Sequence, residues 1–217
     1  MGELSRLIKN YYPPDLMRLA RDIVYSKLFF PSCVRMVRQP AYIVGKKYMR
    51  FGENFRSGPN LRLEVLDSEF VRQTDETIKT IPELIFGSGV SINYNVHIGV
   101  IKKIVLGNNV LIGSNVLITD HNHGNYKGEH QDGPNIIAKK RKLVGDEVII
   151  GDNTWIGENV VILPGSRIGK GCIVGANTVV SGVFDKHQML AGSPARVIKV
   201  FDNDLKKWVS VSKRSNI

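Results

Sequence analysis

The sequence contains little cysteine, few aromatic residues and no long apolar run. Two of its 217 residues are cysteines and 8% are aromatic. Two cysteines without an export signal favour reduced thiols over a disulfide framework. The longest apolar runs fall short of the ~18 residues that a membrane-spanning helix needs. The opening stretch MGELSRLIKNYY has no apolar core of the kind found in signal peptides, so the cytoplasm is the expected compartment.

Acidic residues are also scarce relative to basic ones. Twenty Asp and Glu against thirty Lys and Arg give a formal net charge of +10. This surplus favours an anionic partner, such as a phosphate-rich cosubstrate, an anionic glycan or an acidic lipid surface. Because no zinc-finger, RNP or helix-turn-helix pattern accompanies the charge, nucleic acid is not an expected partner.

An aliphatic residue recurs every six positions over most of the chain. The series consists of Phe86, Ile92, Ile98 and Ile104, then Leu106, Ile112 and Ile118, and finally Val144, Ile150, Ile156, Ile162, Ile168, Val174 and Val180. A small or β-branched residue follows four positions after most of them. Both sets point inward if short strands alternate with tight turns. We attribute the glycine or asparagine that often follows the aliphatic residue to a turn with positive φ. The period predicts a parallel β-solenoid.

Both ends of the chain lack this repeat. Apolar residues recur at helical spacing after Asp15, at Leu16, Leu19, Ala20, Ile23, Val24 and Leu28, which predicts a helical appendage over residues 1–40. This helix either packs on the solenoid or rests on anionic membrane. Extended structure is expected from about Ala41, with the solenoid domain covering 41–200. In the tail, 201–217, Asp202, Leu205 and Trp208 predict a short C-terminal helix that caps the solenoid.

The repeat breaks at LITDHNHGNYKG (117–128), which contains two histidines. His121 lies at the root of a predicted protruding loop, 120–143, and long loops on a rigid scaffold are usually functional. An imidazole with a pKa near neutrality can accept a proton there, so His121 is a candidate general base. Cys172 occupies an inward position, where a thiol is inert.

The stretch IIGDNTWIGENVVILPGSRIGKGCIVGANTVV (149–180), with TDHNHG and AGSPARVIK, resembles the hexapeptide-repeat acyltransferases. Among these it is most similar to bacterial O-acetyltransferases of lipopolysaccharide O-antigen and capsule. The resemblance covers roughly residues 41–200 and implies an all-β fold, a left-handed parallel β-helix, assembled as a homotrimer. It also implies direct transfer of an acetyl group from acetyl-CoA to a sugar hydroxyl of a surface polysaccharide. The resemblance does not decide which hydroxyl is acetylated. It also leaves open a longer acyl group and an amine acceptor.

The resemblance assigns roles to individual residues. His121 is the catalytic base, and no metal takes part. The acceptor-binding residues are Asn93 and His123, and the CoA-binding residues are Trp155, Ala176, Ser181, Arg196 and Lys199.

Two other functions account for part of the pattern. A metal-dependent protein like the γ-type carbonic anhydrases shares the fold and would use histidines from the set His97, His121, His123 and His130. The pair of histidines spaced by five in that family is absent here. A non-catalytic solenoid scaffold explains the repeat alone. For the enzyme, the expected location is the cytoplasm, and the inner face of the cytoplasmic membrane is the alternative.

Overall fold

The computed structural model describes residues 9–67 and 81–211. Helix α1 spans Pro13–Phe29, and short 3₁₀ turns lie at Lys46–Tyr48 and Ala138–Lys140. The strands are β1 (Val34–Val37), β2 (Ala41–Val44), β3 (Met49–Phe51), β4 (Phe55–Ser57), β5 (Leu61–Val65), β6 (Glu83–Phe86), β7 (Ser91–Ile92), β8 (His97–Val100), β9 (Lys103–Leu106), β10 (Leu111–Ile112), β11 (Leu117–Thr119), β12 (His121–His123), β13 (Leu143–Gly145), β14 (Val148–Ile150), β15 (Trp155–Ile156), β16 (Val161–Ile162), β17 (Arg167–Ile168), β18 (Ile173–Val174), β19 (Val179–Val180), β20 (Val183–Phe184), β21 (Gln188–Ala191), β22 (Arg196–Asp202) and β23 (Lys207–Ser210).

Three sheets receive these strands in turn. Sheet A has the order β1-β4-β7-β10-β15-β18-β21-β22-β23, sheet B has β2-β5-β8-β11-β16-β19, and sheet C has β3-β6-β9-β14-β17-β20. All neighbours in sheets B and C are parallel, and sheet A is parallel as far as β21. The chain therefore winds through three parallel sheets, as the six-residue repeat predicts. Sheet A begins at Val34, earlier than the predicted start near Ala41.

The predicted inward positions form the core, with one exception. All aliphatic positions of the repeat from Phe86 to Ile118 and from Ile150 to Val180 are buried, and so are the small residues that follow them. Val144 is the exception, at 37% exposed. It lies in β13, which pairs antiparallel with β12 instead of joining a parallel sheet. Leu143 turns inward in its place, at 5% exposed.

Glycine after the aliphatic residue serves close packing between coils. A Cβ on Gly87 would lie 2.5 Å from the backbone carbon of Gly107, and neither glycine has positive φ. Positive φ occurs two positions later instead, at asparagines such as Asn109 (φ 56) and Asn115 (φ 58). Our attribution of these glycines to positive φ was therefore wrong, and steric approach of the next coil is the physical reason.

Helix α1 confirms the predicted helix but packs through polar residues. Asp22 and Ser26 are its buried residues. The Ser26 hydroxyl accepts the backbone N–H of Val37 at 2.7 Å. Of the expected apolar face, Leu16 and Leu19 are partly buried, but Val24 and Leu28 are 56% and 72% exposed, so its C-terminal part points outward. No helix within the described ranges is long and apolar enough to cross a membrane.

The predicted C-terminal helix is wrong. Residues 196–210 form the antiparallel strands β22 and β23, and β22 pairs antiparallel with β21. The rings of Phe201 and Trp208 pack edge to face across this hairpin at 5.4 Å. Asp202 does cap a turn, since its Oδ1 accepts the N–H groups of Asp204 and Leu205. That turn closes a hairpin because strand pairing on both sides buries the alternating apolar residues.

Candidate active site

His121 lies at the point where the chain leaves sheet B. It follows β11 by one residue and starts β12, and the pairing of His121 with Gly145 closes the base of the arm, residues 124–142. The His121 side chain is 17% exposed. The base of the arm therefore holds the imidazole in a fixed, partly shielded position.

Asp120 orients this imidazole. The carboxylate is completely buried and accepts the backbone N–H groups of Ile101, Lys102 and Lys103 at 2.8–2.9 Å. Its Oδ1 lies 3.0 Å from Nδ1 of His121. A carboxylate fixed by three backbone donors accepts a hydrogen bond from the N–H at Nδ1, and in this tautomer Nε2 carries the free lone pair. This arrangement is the one that a general base requires.

Gly99 contributes no side chain between His97 and His121. Gly99 of β8 is paired with Glu64 of β5 on one side and with Thr119 of β11 on the other. A Cβ on Gly99 would lie 3.3 Å from Cε1 of His121 and 3.7 Å from Nε2 of His97. We call this space the Gly99 notch, bordered by Glu64, His97, Thr119 and His121. The imidazoles of His97 and His121 both lie within 4 Å of the Cβ position of Gly99.

His97 has its own carboxylate partner. Its Nε2 lies 2.8 Å from Oε2 of Glu64, and Arg62 contacts both carboxylate oxygens of Glu64 at 2.9 Å. Burial raises the pKa of Glu64, but hydrogen bonds and charge from Arg62 and His97 lower it further, so the net pKa is below its ordinary value. Glu64 is thus held as an anion beside the notch.

The sequence interpretation missed Glu64 and treated His97 only as a metal-ligand candidate. The contact joins positions 33 residues apart, and their register depends on the chain between them. Within the described residues, no three His, Cys, Asp or Glu side chains form a group that could hold a metal ion. His123, at the end of β12, and His130, on the arm, are both exposed.

The arm is braced by its own side chains. The Arg141 guanidinium donates to the Tyr126 hydroxyl at 2.7 Å and to the Ile136 carbonyl. The Tyr126 hydroxyl in turn donates to the carbonyl of His123 at 2.6 Å. Arg141 therefore acts inside the arm, and the position of His123 depends on this brace.

Asn93 and Trp155 lie on the sheet A side of the chain. Asn93 follows β7 and lines a cavity of about 290 Å³ with Arg38 and Arg56. Trp155 in β15 is paired with Leu111 and is 51% exposed. Strands β7 and β15 belong to sheet A, whereas His121 follows the sheet B strand β11. A single chain does not bring the three predicted residues together.

The predicted CoA residues lie in later coils. Ala176 and Ser181 are exposed, directly after β18 and β19. The segment before β22 runs beside β19, since the N–H of Ala195 donates to the carbonyl of Val179 at 2.8 Å. Arg196 therefore starts β22 near Ser181, while Lys199 lies further along β22 opposite Met189. Of these residues, Ser181 follows a strand of sheet B, the sheet of the Gly99 notch, whereas Ala176 follows the sheet A strand β18 and Arg196 and Lys199 lie in the sheet A strand β22.

Comparison with known proteins connects this architecture to a family. Residues 147–182 match the family model described as bacterial transferase hexapeptide, six repeats. The chain is 38% identical over 206 residues to WbbJ of Escherichia coli K12, whose name describes a lipopolysaccharide biosynthesis O-acetyl transferase, and this covers 94% of the chain and 98% of WbbJ. It is 26% identical to the galactoside O-acetyltransferase of Lactococcus lactis over 84% of the chain and 88% of that protein.

Two solved structures share the fold. The N-acyltransferase AntD of Bacillus cereus, in complex with dTDP and 3-hydroxybutyryl-CoA, matches with a TM-score of 0.61 and 20% identity over 78% of this chain and 81% of that one. A hexapeptide-repeat acetyltransferase of Vibrio cholerae in complex with acetyl-CoA matches with a TM-score of 0.53 and 22% identity, over 73% and 74% of the two chains. The six-residue repeat, the winding through three parallel sheets and the nearly full-length similarity to WbbJ agree. The chain therefore belongs to the hexapeptide-repeat acyltransferase family.

Proposed function

We propose that this protein transfers an acetyl group from acetyl-CoA to a sugar hydroxyl of a surface polysaccharide, either O-antigen or capsule. The observation that carries the proposal is the buried Asp120 on His121 at the edge of the Gly99 notch. WbbJ, which is similar over nearly its whole length, supports the acceptor class.

His121 performs the proton transfer in this proposal. Its Nε2 removes the proton from the acceptor hydroxyl while the oxygen attacks the thioester carbonyl of acetyl-CoA. The tetrahedral oxyanion collapses, the carbon–sulfur bond breaks, and CoA leaves as a thiolate that takes up a proton. The Asp120 carboxylate stabilises the imidazolium formed in between. General-base assistance of this kind contributes about 10²–10⁴-fold to the rate.

The CoA groove lies along the last coils of the solenoid. Ser181 and Ala176 are exposed there and can contact the pantetheine arm through their backbone groups. Arg196 and Lys199 supply positive charge for the phosphates, for which a guanidinium is well suited. Trp155 packs against the acetyl end or the acceptor, with Asn93 and His123 at the acceptor.

The active form is a homotrimer of left-handed β-helices. The separation of Asn93 and Trp155 from His121 within one chain supports a site completed by a neighbouring subunit. The adjacent exposed residues Leu111 and Trp155 on sheet A offer an apolar contact face. Light scattering tests this, with an expected mass of three times the 24.2 kDa of the chain.

The enzyme works in the cytoplasm, at the inner face of the membrane. Support comes from the outward apolar side of α1, which includes Met17, Val24 and Leu28. The net charge of +10 adds attraction to anionic lipid.

Thiol release from acetyl-CoA tests the proposed reaction. Purified protein is incubated with acetyl-CoA and a panel of O-antigen and capsule oligosaccharides and simple methyl glycosides, with and without a chelator. We expect acceptor-dependent release of CoA, an acetyl ester on the sugar, and no effect of the chelator. Inhibition by the chelator, or release that leaves every acceptor unmodified, would contradict the proposal.

A further inference from the structure

The Gly99 notch carries two carboxylate–imidazole pairs, and the proposed reaction uses one of them. Asp120 and His121 form the first pair at 3.0 Å. Glu64 and His97 form the second at 2.8 Å. Gly99 lies between them in the pairing of β5, β8 and β11. Because both imidazoles lie within 4 Å of the Cβ position of Gly99, the second pair is close to the first.

The second pair is built as a fixed hydrogen-bond acceptor. Arg62 donates to Oε1 and Oε2 of Glu64, and His97 donates to Oε2. A carboxylate has about four lone-pair sites, so these contacts leave one on Oε1. The side chain of Glu64 is 17% exposed, and His97 is 35% exposed. Glu64 thus presents a braced, partly desolvated anion that can accept one more donor.

Hydroxyl groups are the donors that a sugar offers. A hydroxyl in the notch is shared between His121 on one side and the Glu64–His97 pair on the other. The ring position next to it carries a second hydroxyl at close range when the sugar has a vicinal diol. We infer that Glu64, held by Arg62 and His97, binds the hydroxyl adjacent to the reacting one, so the acceptor is a sugar with a vicinal diol.

This inference rests on the proposed function and assigns Glu64 a role in selecting the hydroxyl. Hydrogen bonds to charged groups contribute about 1.5–3 kcal/mol, which corresponds to a preference of about 10–150-fold. Glu64 touches the acceptor in this account. Arg62 and His97 are positioning residues, because they act through Glu64.

A double cycle that combines a change in the substrate with a change in the enzyme tests the inference. The probes are the most active methyl glycoside of the panel and its analogues in which one hydroxyl at a time is replaced by hydrogen. We compare kcat/KM for the wild type and Glu64→Gln at saturating acetyl-CoA. In the wild type, loss of the hydroxyl next to the acetylated one lowers kcat/KM by about 10–150-fold. In Glu64→Gln the same loss lowers it by less than about threefold.

Glu83→Gln is the matched control. Glu83 is also held by two cations, Arg50 at 2.9 Å and Lys103 at 3.0 Å, but it lies on sheet C. It should keep the wild-type preference. If Glu64→Gln slows transfer to the intact and deoxy acceptors by the same factor, its role is structural and the inference is overturned. A wild type that accepts both acceptors equally overturns the inference but leaves the proposed function standing. A wild type that acetylates no sugar overturns the proposed function.

Discussion

Two carboxylates hold the two imidazoles of the site by different means. Asp120 is fixed by three backbone N–H groups from the turn between β8 and β9, so its position depends on the coil itself. Glu64 is fixed by the Arg62 side chain across the surface of sheet B. The first arrangement is completely buried and the second is partly exposed. We therefore expect salt to weaken the contacts of Glu64 more than those of Asp120.

The lowered pKa of Glu64 gives a testable pH dependence of stability. Burial opposes the shift, and Arg62 and His97 outweigh it. Because the folded pKa lies below the unfolded value near 4.5, the ionised form stabilises the folded state above that pH. The wild type should be more stable than Glu64→Gln at pH 7, and the difference should disappear as the pH falls through the folded pKa. Urea midpoints measured from pH 7 downward check this. A difference that stays constant over that range would show that Glu64 is not held as an anion.

At the level of the elements, each glycine after an aliphatic residue sets the distance between coils. The Cβ position of Gly87 is 2.5 Å from the carbonyl carbon of Gly107 and 2.7 Å from the backbone nitrogen of Asn108. Backbone cannot move aside as a flexible side chain can, so any larger residue pushes the coils apart. The turns take their positive φ at asparagines such as Asn109 and Asn115, so Gly87 and Gly107 do not need positive φ.

Gly87→Ala tests this packing. We expect a loss of about 1–3 kcal/mol in the free energy of unfolding from overpacking, seen as a lower thermal or urea midpoint. Gly133→Ala is the control, because no atom lies within 4 Å of its Cβ position and its φ is not positive. Its change should stay within about 0.5 kcal/mol. Equal effects of the two substitutions would mean that the close approach between coils does not limit stability.

At the scale of the whole molecule, the repeat was sufficient to predict the winding and its core. The residues from Ile150 to Val180 are buried at the predicted positions because a period of six leaves one arrangement that buries them. The ends were harder to predict, since Leu205 and Trp208 fit a helix by their spacing. In the structure Leu205 lies in the turn before β23, and β22 pairs with β21, which has no other neighbour on that side. His121 could be found from the break in the repeat. Glu64 could not, because strand register across the coils brings it to the notch.

The outward apolar side of α1 predicts binding to anionic membrane. Burial of one large apolar side chain contributes about 1.5–3 kcal/mol, so the double substitution Val24→Glu with Leu28→Glu should weaken binding to vesicles at least about tenfold. Cosedimentation with vesicles of phosphatidylglycerol and phosphatidylcholine measures this. Leu205→Glu is the control, since Leu205 is equally exposed in the turn before β23, far from α1 along the chain. If the double variant binds vesicles as tightly as the wild type and Leu205→Glu, the apolar side of α1 does not contact membrane.

The acetyl-transfer rate of His121→Ala tests the central claim most directly. Initial rates are measured at saturating acetyl-CoA and acceptor, beside the wild type and His123→Ala. His121→Ala should lose about 10²–10⁴-fold in kcat, the contribution of a general base, while His123→Ala, on the exposed part of β12, should lose much less. A His121→Ala enzyme that keeps its rate within about threefold of the wild type would contradict the assignment of the base.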